Sequence, residues 1–425
     1  MRRLAVLLCS FALTLIPSAD PPDVSYYSLH VPAGLTIQDL IRDGYDIDHA
    51  ATVVATPTEV RRLRARGVVL EKTGEVYQPV PRTEPSEATY YGGYHTTKSH
   101  EEHNAAVAAA HPDLVKLYDI GDSWKKTQGQ GGHDIQALCI TKLAPGDCAL
   151  NSTGKKPKFV LHAQIHAREI ATGEIAYRWI DLLVSSYGVD PEITALLNTR
   201  ELWVVPIANP DGVDVVASNP TRPVLQRKNV DDDGHACPAP SAGVDLNRNS
   251  SFHWDVAQGG PCAETYPGAK ALSEPETAAV QGLLDTIFPD TKGGLDDPAA
   301  ASTTGLFLTL HSYGNDILAP WGYTREAAPD RAALVALGNK MSAFTGYPVA
   351  TGDGGIGYFT PGSTSDWLYG TRGVPAYTFE IGPRTGWCAG FLPAYSCVSS
   401  TFWPLLKPAL VYAARAAAAP YGQLP

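Results

Sequence analysis

Residues 159–183 read FVLHAQIHAREIATGEIAYRWIDLL, and this stretch decides the fold. Its first four residues, Phe159 to His162, form a short apolar run typical of a buried strand. From Glu174 to Leu183 the apolar residues recur at the spacing of an amphipathic helix. A buried strand followed by a helix is the repeating unit of an α/β protein, in which helices cover the faces of a sheet.

The same alternation continues along the chain. Further segments with strand character are Leu202–Pro206, Leu306–Leu310 and Ala376–Phe379. A turn is predicted at Asn209-Pro210-Asp211-Gly212, directly after the first of them. We also expect a helix from a capping box at Ser273–Glu276 through Leu284, and a final helix over Phe402–Ala418. The main domain is therefore predicted to be an α/β sheet flanked by helices.

The N-terminus is typical of a secreted protein. Met1-Arg2-Arg3 is positively charged, Leu4–Ile16 is apolar but too short to cross a bilayer, and Pro17-Ser18-Ala19 offers small residues for cleavage. We expect a signal peptide at residues 1–19, no membrane anchor and an extracellular location. A small module with a helix near Thr58 follows, and the proline-rich stretch Gln78–Pro85 ends it as a linker.

These features predict three parts: a signal peptide at 1–19, a small α+β pro-segment with its linker at 20–86, and the main domain at 87–425. A docked subdomain is the alternative for the second part. The formal charge of −11 argues against a nucleic-acid partner, because phosphate binding needs clustered Lys and Arg. No later apolar run reaches membrane-spanning length, so no membrane contact is expected. We expect a monomer.

Seven cysteines occur, and Cys9 lies within the predicted signal peptide. The remaining six are even in number, as expected for three disulfides in an oxidising compartment. Proximity along the chain predicts the pairs Cys139–Cys148, Cys388–Cys397 and Cys237–Cys262. No Cys-x-x-Cys spacing favours a thiolate metal site.

Candidate metal ligands stand at the ends of predicted strands. His166 and Glu169 lie three residues apart just beyond the strand that ends at His162, and His311 follows the strand Leu306–Leu310. In an α/β sheet, functional sites form at the carboxyl ends of the strands. A catalytic zinc needs few protein ligands and one open position. A lone His-x-x-Glu is weak evidence, so the surrounding motifs matter.

Several of those motifs occur in a fixed order. They are Asn209-Pro210-Asp211-Gly212, Gly243-Val244-Asp245-Leu246-Asn247-Arg248-Asn249, Leu310-His311-Ser312-Tyr313 and Tyr377-Thr378-Phe379-Glu380. From about Thr89 to about Tyr412 the chain resembles the zinc metallocarboxypeptidases of the carboxypeptidase A and B type. The resemblance implies a mixed, mostly parallel sheet flanked by helices, preceded by a small pro-segment that covers the active site until proteolysis releases it.

The resemblance also assigns roles. One Zn²⁺ per chain would be held by His166, Glu169 and His311, with Asp245 orienting a ligand histidine. Glu380 matches the general base and acid. The residues that would act on the substrate are Arg227 at the oxyanion, Asn247 and Arg248 at the terminal carboxylate, Tyr358 as the mobile tyrosine, and Arg168 at a positively charged subsite. The substrate would be the C-terminus of a peptide or protein.

The sequence gives weaker signals for the C-terminal side chain that the substrate would carry. Gly322 and Ser365 match positions of the pocket for the C-terminal side chain, and Asp353 falls near the pocket wall. Ser365 is neither acidic nor apolar, so we predict a broad or apolar preference, with a basic preference as the rival. Two other functions stay open: a zinc amidase or peptidase acting on cell-wall peptides, and an inactive binding protein on the same scaffold. The stretch 229–234 resembles half of a calcium loop, but Pro240 stands where the final Glu belongs.

Overall fold

The computed structural model describes residues 23–49, 52–79, 87–352 and 354–422. The predicted signal peptide, residues 80–86 at the end of the predicted pro-segment and linker, and Asp353 lie outside the described residues. Among the helices of the described part, none is long and apolar enough to cross a membrane.

Residues 23–79, which we call the N-terminal module, form an antiparallel four-stranded sheet with two helices. Its elements are β1 (Ser25–His30), α1 (Ile37–Arg42), β2 (Asp46–Asp48), β3 (Thr52–Ala55), α2 (Pro57–Ala65) and β4 (Val69–Glu75). The strand order is β2-β3-β1-β4. The helix predicted near Thr58 is α2, and a capping box between Thr56 and Glu59 fixes its first turn. The module is therefore the small α+β unit that the sequence predicts.

The rest of the described chain forms the main domain. Its strands are β5 (Thr89–Tyr90), β6 (Tyr94–His95), β7 (Val115–Asp122), β8 (Asp134–Ile140), β9 (Lys158–His162), β10 (Glu201–Val205), β11 (Leu306–His311), β12 (Asp316–Ala319), β13 (Val349–Thr351) and β14 (Ala376–Glu380). Its helices are α3 (Thr97–Ala110), α4 (Trp124–Thr127), α5 (Ile170–Ser186), α6 (Pro191–Thr199), α7 (Pro210–Ala217), α8 (Pro275–Ile287), α9 (Arg331–Thr345), α10 (Thr364–Arg372) and α11 (Trp403–Ala416).

Eight strands form one mixed sheet in the order β13-β12-β14-β11-β9-β10-β8-β7. The four central strands β14, β11, β9 and β10 run parallel to one another, and antiparallel pairings occur towards both edges. Every residue of β9, β10 and β11 is buried, as expected for strands covered on both faces. The predicted fold class, a mixed and mostly parallel sheet flanked by helices, is confirmed.

Two local predictions were wrong. The helix α8 begins at Pro275 with Glu274 as its N-cap, and Ser273 makes no capping hydrogen bond, because its hydroxyl donates to Glu274 instead. The predicted turn at Asn209 is the start of α7, since the Asn209 side chain caps that helix by accepting from Gly212 N–H. All three predicted disulfides are present.

The N-terminal module packs on the main domain through a shared apolar core. Its buried residues are Leu29, Leu40, Ile41, Ile47, Val53, Ala55, Val60, Leu63, Val68 and Leu70, and Ile356 and Tyr358 of the main domain complete the cluster. The module therefore lies against the loop that carries Tyr358.

Candidate metal centre and active site

Three side chains with metal-binding atoms meet at the carboxyl ends of two neighbouring strands. His166 lies in the loop between β9 and α5, Glu169 immediately precedes the first turn of α5, and His311 ends β11. Because β9 and β11 are adjacent and parallel, their carboxyl ends share one edge of the sheet. The structure therefore brings together the three ligands predicted from the sequence.

The donor atoms of this cluster converge closely. His166 Nδ1 lies 2.7 Å from Glu169 Oε1 and 3.1 Å from His311 Nδ1, and His311 Nδ1 lies 3.2 Å from Glu169 Oε2. His166 Nε2–H donates a hydrogen bond to the carboxylate oxygen Asp245 Oδ1, at 3.1 Å. The Nδ1 lone pair of His166 is thus left for the cluster, as in histidines that bind metals.

This donor set fits a zinc ion. Two imidazole nitrogens and a carboxylate, all buried, lie within 4.8 Å of one another and could hold one metal ion together. A thiolate-free set with one side open to a cavity is typical of catalytic zinc. The other acidic cluster in the described part, Asp119, Asp122 and Asp134, is partly exposed, and Lys126 pairs with two of its members.

Glu380 stands beside the cluster. It is the last residue of β14 and lies opposite His311 in the pairing of β11 with β14, and both residues line the same cavity. Burial raises the pKa of Glu380 well above its ordinary value, and the nearby Glu169 carboxylate raises it further. Its carboxyl group is therefore suited to take up a proton and release it again.

Arg227 is held at the metal cluster by Asp245. Its Nη2 and Nε donate to Asp245 Oδ2 at 3.0 and 3.2 Å, and its Nη1 lies 3.9 Å from Glu169 Oε1. Although burial opposes ionisation of Asp245, Arg227 and His166 hold its pKa well below the ordinary value. Asp245 thus fixes both a ligand histidine and a guanidinium that can stabilise negative charge near the metal.

A second set of polar groups lines the same cavity. Asn247 and Arg248 lie in a 3-10 turn, Leu246–Arg248, whose cap is Asp245. Arg248 Nη1 donates to the Asn247 carbonyl at 2.8 Å, and Asn247 Oδ1 accepts from Thr364 N–H at 3.3 Å. Tyr358 borders the cavity and packs on the N-terminal module. Asn247, Arg248 and Tyr358 therefore share one cavity with the three candidate metal ligands.

The predicted pocket for a substrate side chain is mixed in character. Ser365 Oγ lies 3.2 Å from Thr378 Oγ1, while Leu318 and Ile356 supply apolar wall. Gly322 also lines the cavity, and its N–H donates to the Asp366 carboxylate at 2.9 Å. Burial raises the pKa of Asp366 to about 7. Asp353 lies outside the described residues.

Arg168 does not line the cavity. Its Nη1 and Nη2 donate to Asp46 of the N-terminal module at 2.7 and 2.8 Å, and only 2% of its surface is exposed. Asp48, two residues further along β2, lines the cavity next to the metal ligands. Sequence reasoning missed both carboxylates. The alternation Asp46-Ile47-Asp48 does predict a strand with two acids on one face, but not what that face contacts.

A buried His₂Glu cluster at the carboxyl edge of a mixed sheet, with a carboxyl group and guanidinium beside it, defines a zinc-dependent hydrolase. Comparison with known proteins narrows the class. Residues 100–401 match the family model described as zinc carboxypeptidase. The chain is 27% identical over 371 residues to a zinc carboxypeptidase of Saccharothrix mutabilis subsp. capreolus, covering 82% of this chain and 78% of that protein. It is 31% identical over 317 residues to carboxypeptidase A2 of Mus musculus, covering 72% of this chain and 66% of that protein.

Comparison with solved structures shows the same fold. The crystal structure of the carboxypeptidase A from Helicoverpa armigera has a TM-score of 0.71 to this chain at 21% identity, covering 94% of this chain and 98% of that one. The chain belongs to the zinc carboxypeptidase family and is a metallocarboxypeptidase, a peptide hydrolase. The resemblance found from the motifs is confirmed, and the same His₂Glu donor set holds zinc in carboxypeptidase A.

Proposed function

We propose that this protein is a secreted carboxypeptidase, made as an inactive precursor, that hydrolyses the C-terminal peptide bond of peptides and proteins. The observation that carries the proposal is the shared cavity, in which the metal ligands, Glu380, Arg227 and the Asn247–Arg248 pair all face one space. Metal ligands alone support hydrolysis in general. A guanidinium and an amide in the same cavity add the means to select a chain end.

Each residue at the candidate metal centre has a separate role in the proposed reaction. His166, Glu169 and His311 would hold a zinc ion, which would supply Lewis-acid chemistry at the scissile carbonyl and lower the pKa of a water near it. Glu380 takes the proton from the attacking water and passes it to the leaving nitrogen. Arg227, fixed by Asp245, stabilises the oxyanion as the carbonyl carbon becomes tetrahedral.

Selection of the chain end comes from Asn247 and Arg248, which we call the clamp. Arg248 can hold the terminal carboxylate with two parallel hydrogen bonds, and the Asn247 amide adds a further donor. Tyr358 closes over the bound residue once the N-terminal module no longer packs on it. A cell-wall amidase would need the metal ligands but not this clamp.

We infer a broad or apolar preference for the C-terminal side chain. Leu318 and Ile356 provide apolar contact, and the hydroxyls of Ser365 and Thr378 pair with each other. Asp366 already accepts backbone N–H groups from Gly322 and Tyr323, so its charge is partly satisfied. A basic preference would require Asp353 to reach the pocket.

The N-terminal module is proposed to keep the enzyme inactive. Its β2 strand pairs Asp46 with Arg168 and places Asp48 in the cavity, and its core packs on Tyr358. A substrate cannot occupy the same positions. We propose that proteolysis in the linker near Arg82 releases the module, and that residues 1–19 direct secretion.

The proposal is tested with protein folded as the full chain and then cleaved with trypsin. Peptides that end in Phe, Leu, Lys or Arg are incubated with it, and free amino acids are quantified. We expect release of the last residue, loss of release with a chelator, and recovery on adding zinc. Release that persists without zinc, or cleavage only inside the peptide, would overturn the proposal. Exclusive release of Lys and Arg would overturn the apolar preference, and equal activity before and after trypsin would overturn the inhibitory role of the module.

A further inference from the structure

The loop between β9 and α5 carries two of the three candidate metal ligands. We call residues 163–169 the ligand loop, and this irregular segment contains His166 and Glu169. A neighbouring segment holds its middle, because the Ala167 N–H donates to the Arg227 carbonyl at 3.0 Å. Since the loop has no repeating backbone pattern, its shape depends on individual hydrogen bonds of this kind.

Gln164, near the start of the ligand loop, is buried and has an unusual backbone conformation. Its φ of 51° lies in the left-handed region, which costs glutamine more than glycine. Its side-chain Nε2 donates to the Ala167 carbonyl at 3.2 Å, so the amide spans the turn in which His166 lies. The left-handed backbone thus accompanies a hydrogen bond that closes the loop around a candidate metal ligand.

The backbone of Gln164 is also connected to the second ligand of the loop. Its N–H donates to Thr172 Oγ1 at 3.2 Å, and that hydroxyl donates in turn to the Glu169 carbonyl at 2.7 Å. Thr172 lies in the first turn of α5, which begins at Ile170. The position of Gln164 is therefore linked by hydrogen bonds to the backbone next to both His166 and Glu169.

A glycine in α5 makes room for the Gln164 side chain. A Cβ at Gly173 would lie 2.2 Å from Gln164 Oε1, closer than two such atoms can approach. Glycine within a helix is less favourable than alanine, because it loses more conformational freedom on folding. The left-handed Gln164 and the helical Gly173 are thus two separate local costs at one contact. Such departures from local preference are expected where a site must be held in a fixed geometry.

We propose that Gln164 is a positioning residue for the metal centre, whose side-chain amide holds the ligand loop in the shape that brings His166 and Glu169 together. This inference rests on the proposed zinc centre and adds to it a residue outside the ligand set. Asp245 fixes the ring of His166, whereas Gln164 fixes the backbone from which that ring projects. A loop that is ordered before zinc arrives loses less freedom on binding, so zinc affinity should depend on the amide.

The first test replaces Gln164 by Asn in the full chain. Asparagine keeps the amide and tolerates the left-handed backbone, but it is one methylene shorter, so the amide no longer reaches the Ala167 carbonyl. We expect zinc affinity, measured by competition with a chelator, to fall by about 10- to 100-fold. The melting temperature of the zinc-free protein should stay close to that of the unmodified chain. Unchanged zinc affinity would contradict the inference, and so would a loss of affinity that appears only together with unfolding of the zinc-free protein.

The second test displaces the amide from the side of α5. Gly173→Ala places a methyl group against Gln164 Oε1, so zinc affinity should fall although alanine favours the helix. In a Gln164→Gly background the same substitution should have no further effect on zinc affinity, because no amide is left to displace. The matched control is Gly282→Ala in α8, where a Cβ would meet no described atom of another segment within 4 Å. Its zinc affinity should equal that of the unmodified chain.

Two results would be decisive against the assignment or its basis. If Gly173→Ala weakens zinc binding equally with and without the Gln164 amide, its effect does not pass through Gln164 and the assignment is wrong. If the unmodified chain binds no zinc in the same assay, the proposed metal centre itself has failed.

Discussion

Replacing Asp46 by Asn is expected to weaken inhibition by the N-terminal module. The substitution keeps the shape of the side chain and removes a carboxylate that accepts two hydrogen bonds from Arg168, at 2.7 and 2.8 Å. Arg168 is almost fully buried, so its charge then depends on Glu264 at 3.4 Å, whose contact is longer. Asp46 keeps 18% of its side chain exposed, so the free energy of docking lost on substitution should be smaller than for a fully buried ion pair.

Hydrogen bonds to charged groups contribute about 1.5–3 kcal/mol, and we expect docking of the module to weaken by that amount. This corresponds to an increase of about tenfold to a hundredfold in the fraction of molecules with an open site. The assay compares peptide hydrolysis by the uncleaved chain with hydrolysis by the same preparation after trypsin. The ratio of the two rates measures inhibition, and any change in the catalytic domain itself cancels from the ratio.

The matched control is Asp43→Asn in the same module. Asp43 forms an ion pair with Arg66 at 2.8 Å, but both side chains are about a third or more exposed, and such pairs contribute about 0–1 kcal/mol. For Asp43→Asn, the ratio of the hydrolysis rates before and after trypsin should therefore stay close to that of the unmodified chain. If Asp46→Asn leaves the ratio unchanged, or if Asp43→Asn raises it equally, the pairing of Asp46 with Arg168 is not what holds the module on the active site.

Three further outcomes are expected. Glu380→Gln should lower kcat by about 10²- to 10⁴-fold with zinc content unchanged by metal analysis, and a parallel loss of zinc would refute a role in proton transfer alone. Asp245→Asn should weaken zinc binding by about 10- to 100-fold in competition with a chelator, because it no longer fixes the His166 tautomer. Although burial opposes its charge, hydrogen bonds to Asp214 and Glu101 raise the pKa of His133 to about 10. This pKa is higher than that of an unfolded histidine, so the charged His133 stabilises the folded state fully below about pH 6.5, and the stabilisation is lost as the pH rises through 10. His133→Gln should therefore lower the melting temperature at about pH 6 but not above about pH 10.

The sequence predicted those parts of the fold whose signals are local. The buried strand at Phe159–His162 and the helix after it have strong periodicity, and both are present as β9 and α5. The three disulfides were predicted from proximity, and two of them close short loops. Metal ligands at strand ends were predicted because parallel neighbours bring those ends together. By contrast, the capping box at Ser273 failed because Pro275 begins α8, and Ser273 bonds to its neighbour Glu274 instead.

The contacts between the N-terminal module and the main domain could not be predicted from local sequence patterns. Asp46 meets Arg168 across 122 residues, and Tyr26 meets Phe391 across 365. No periodicity in either segment encodes such a pairing, because it depends on how two separately formed surfaces fit. The resemblance supplied a role for Arg168 in substrate binding. The structure adds that its guanidinium has a partner within the chain.

Docking of the N-terminal module is expected to depend on Arg168 as much as on Asp46. The same guanidinium binds Asp46 through its nitrogens and stacks on Phe391 through its face. Lysine can keep the positive charge but has neither the paired donors nor the flat face, so Arg168→Lys should weaken docking of the module. Asp46→Asn removes the acceptor of the same pair, so the two substitutions should raise the activity of the uncleaved chain by similar amounts. If Arg168→Lys leaves inhibition of the uncleaved chain unchanged, the guanidinium of Arg168 is not what holds the module on the active site.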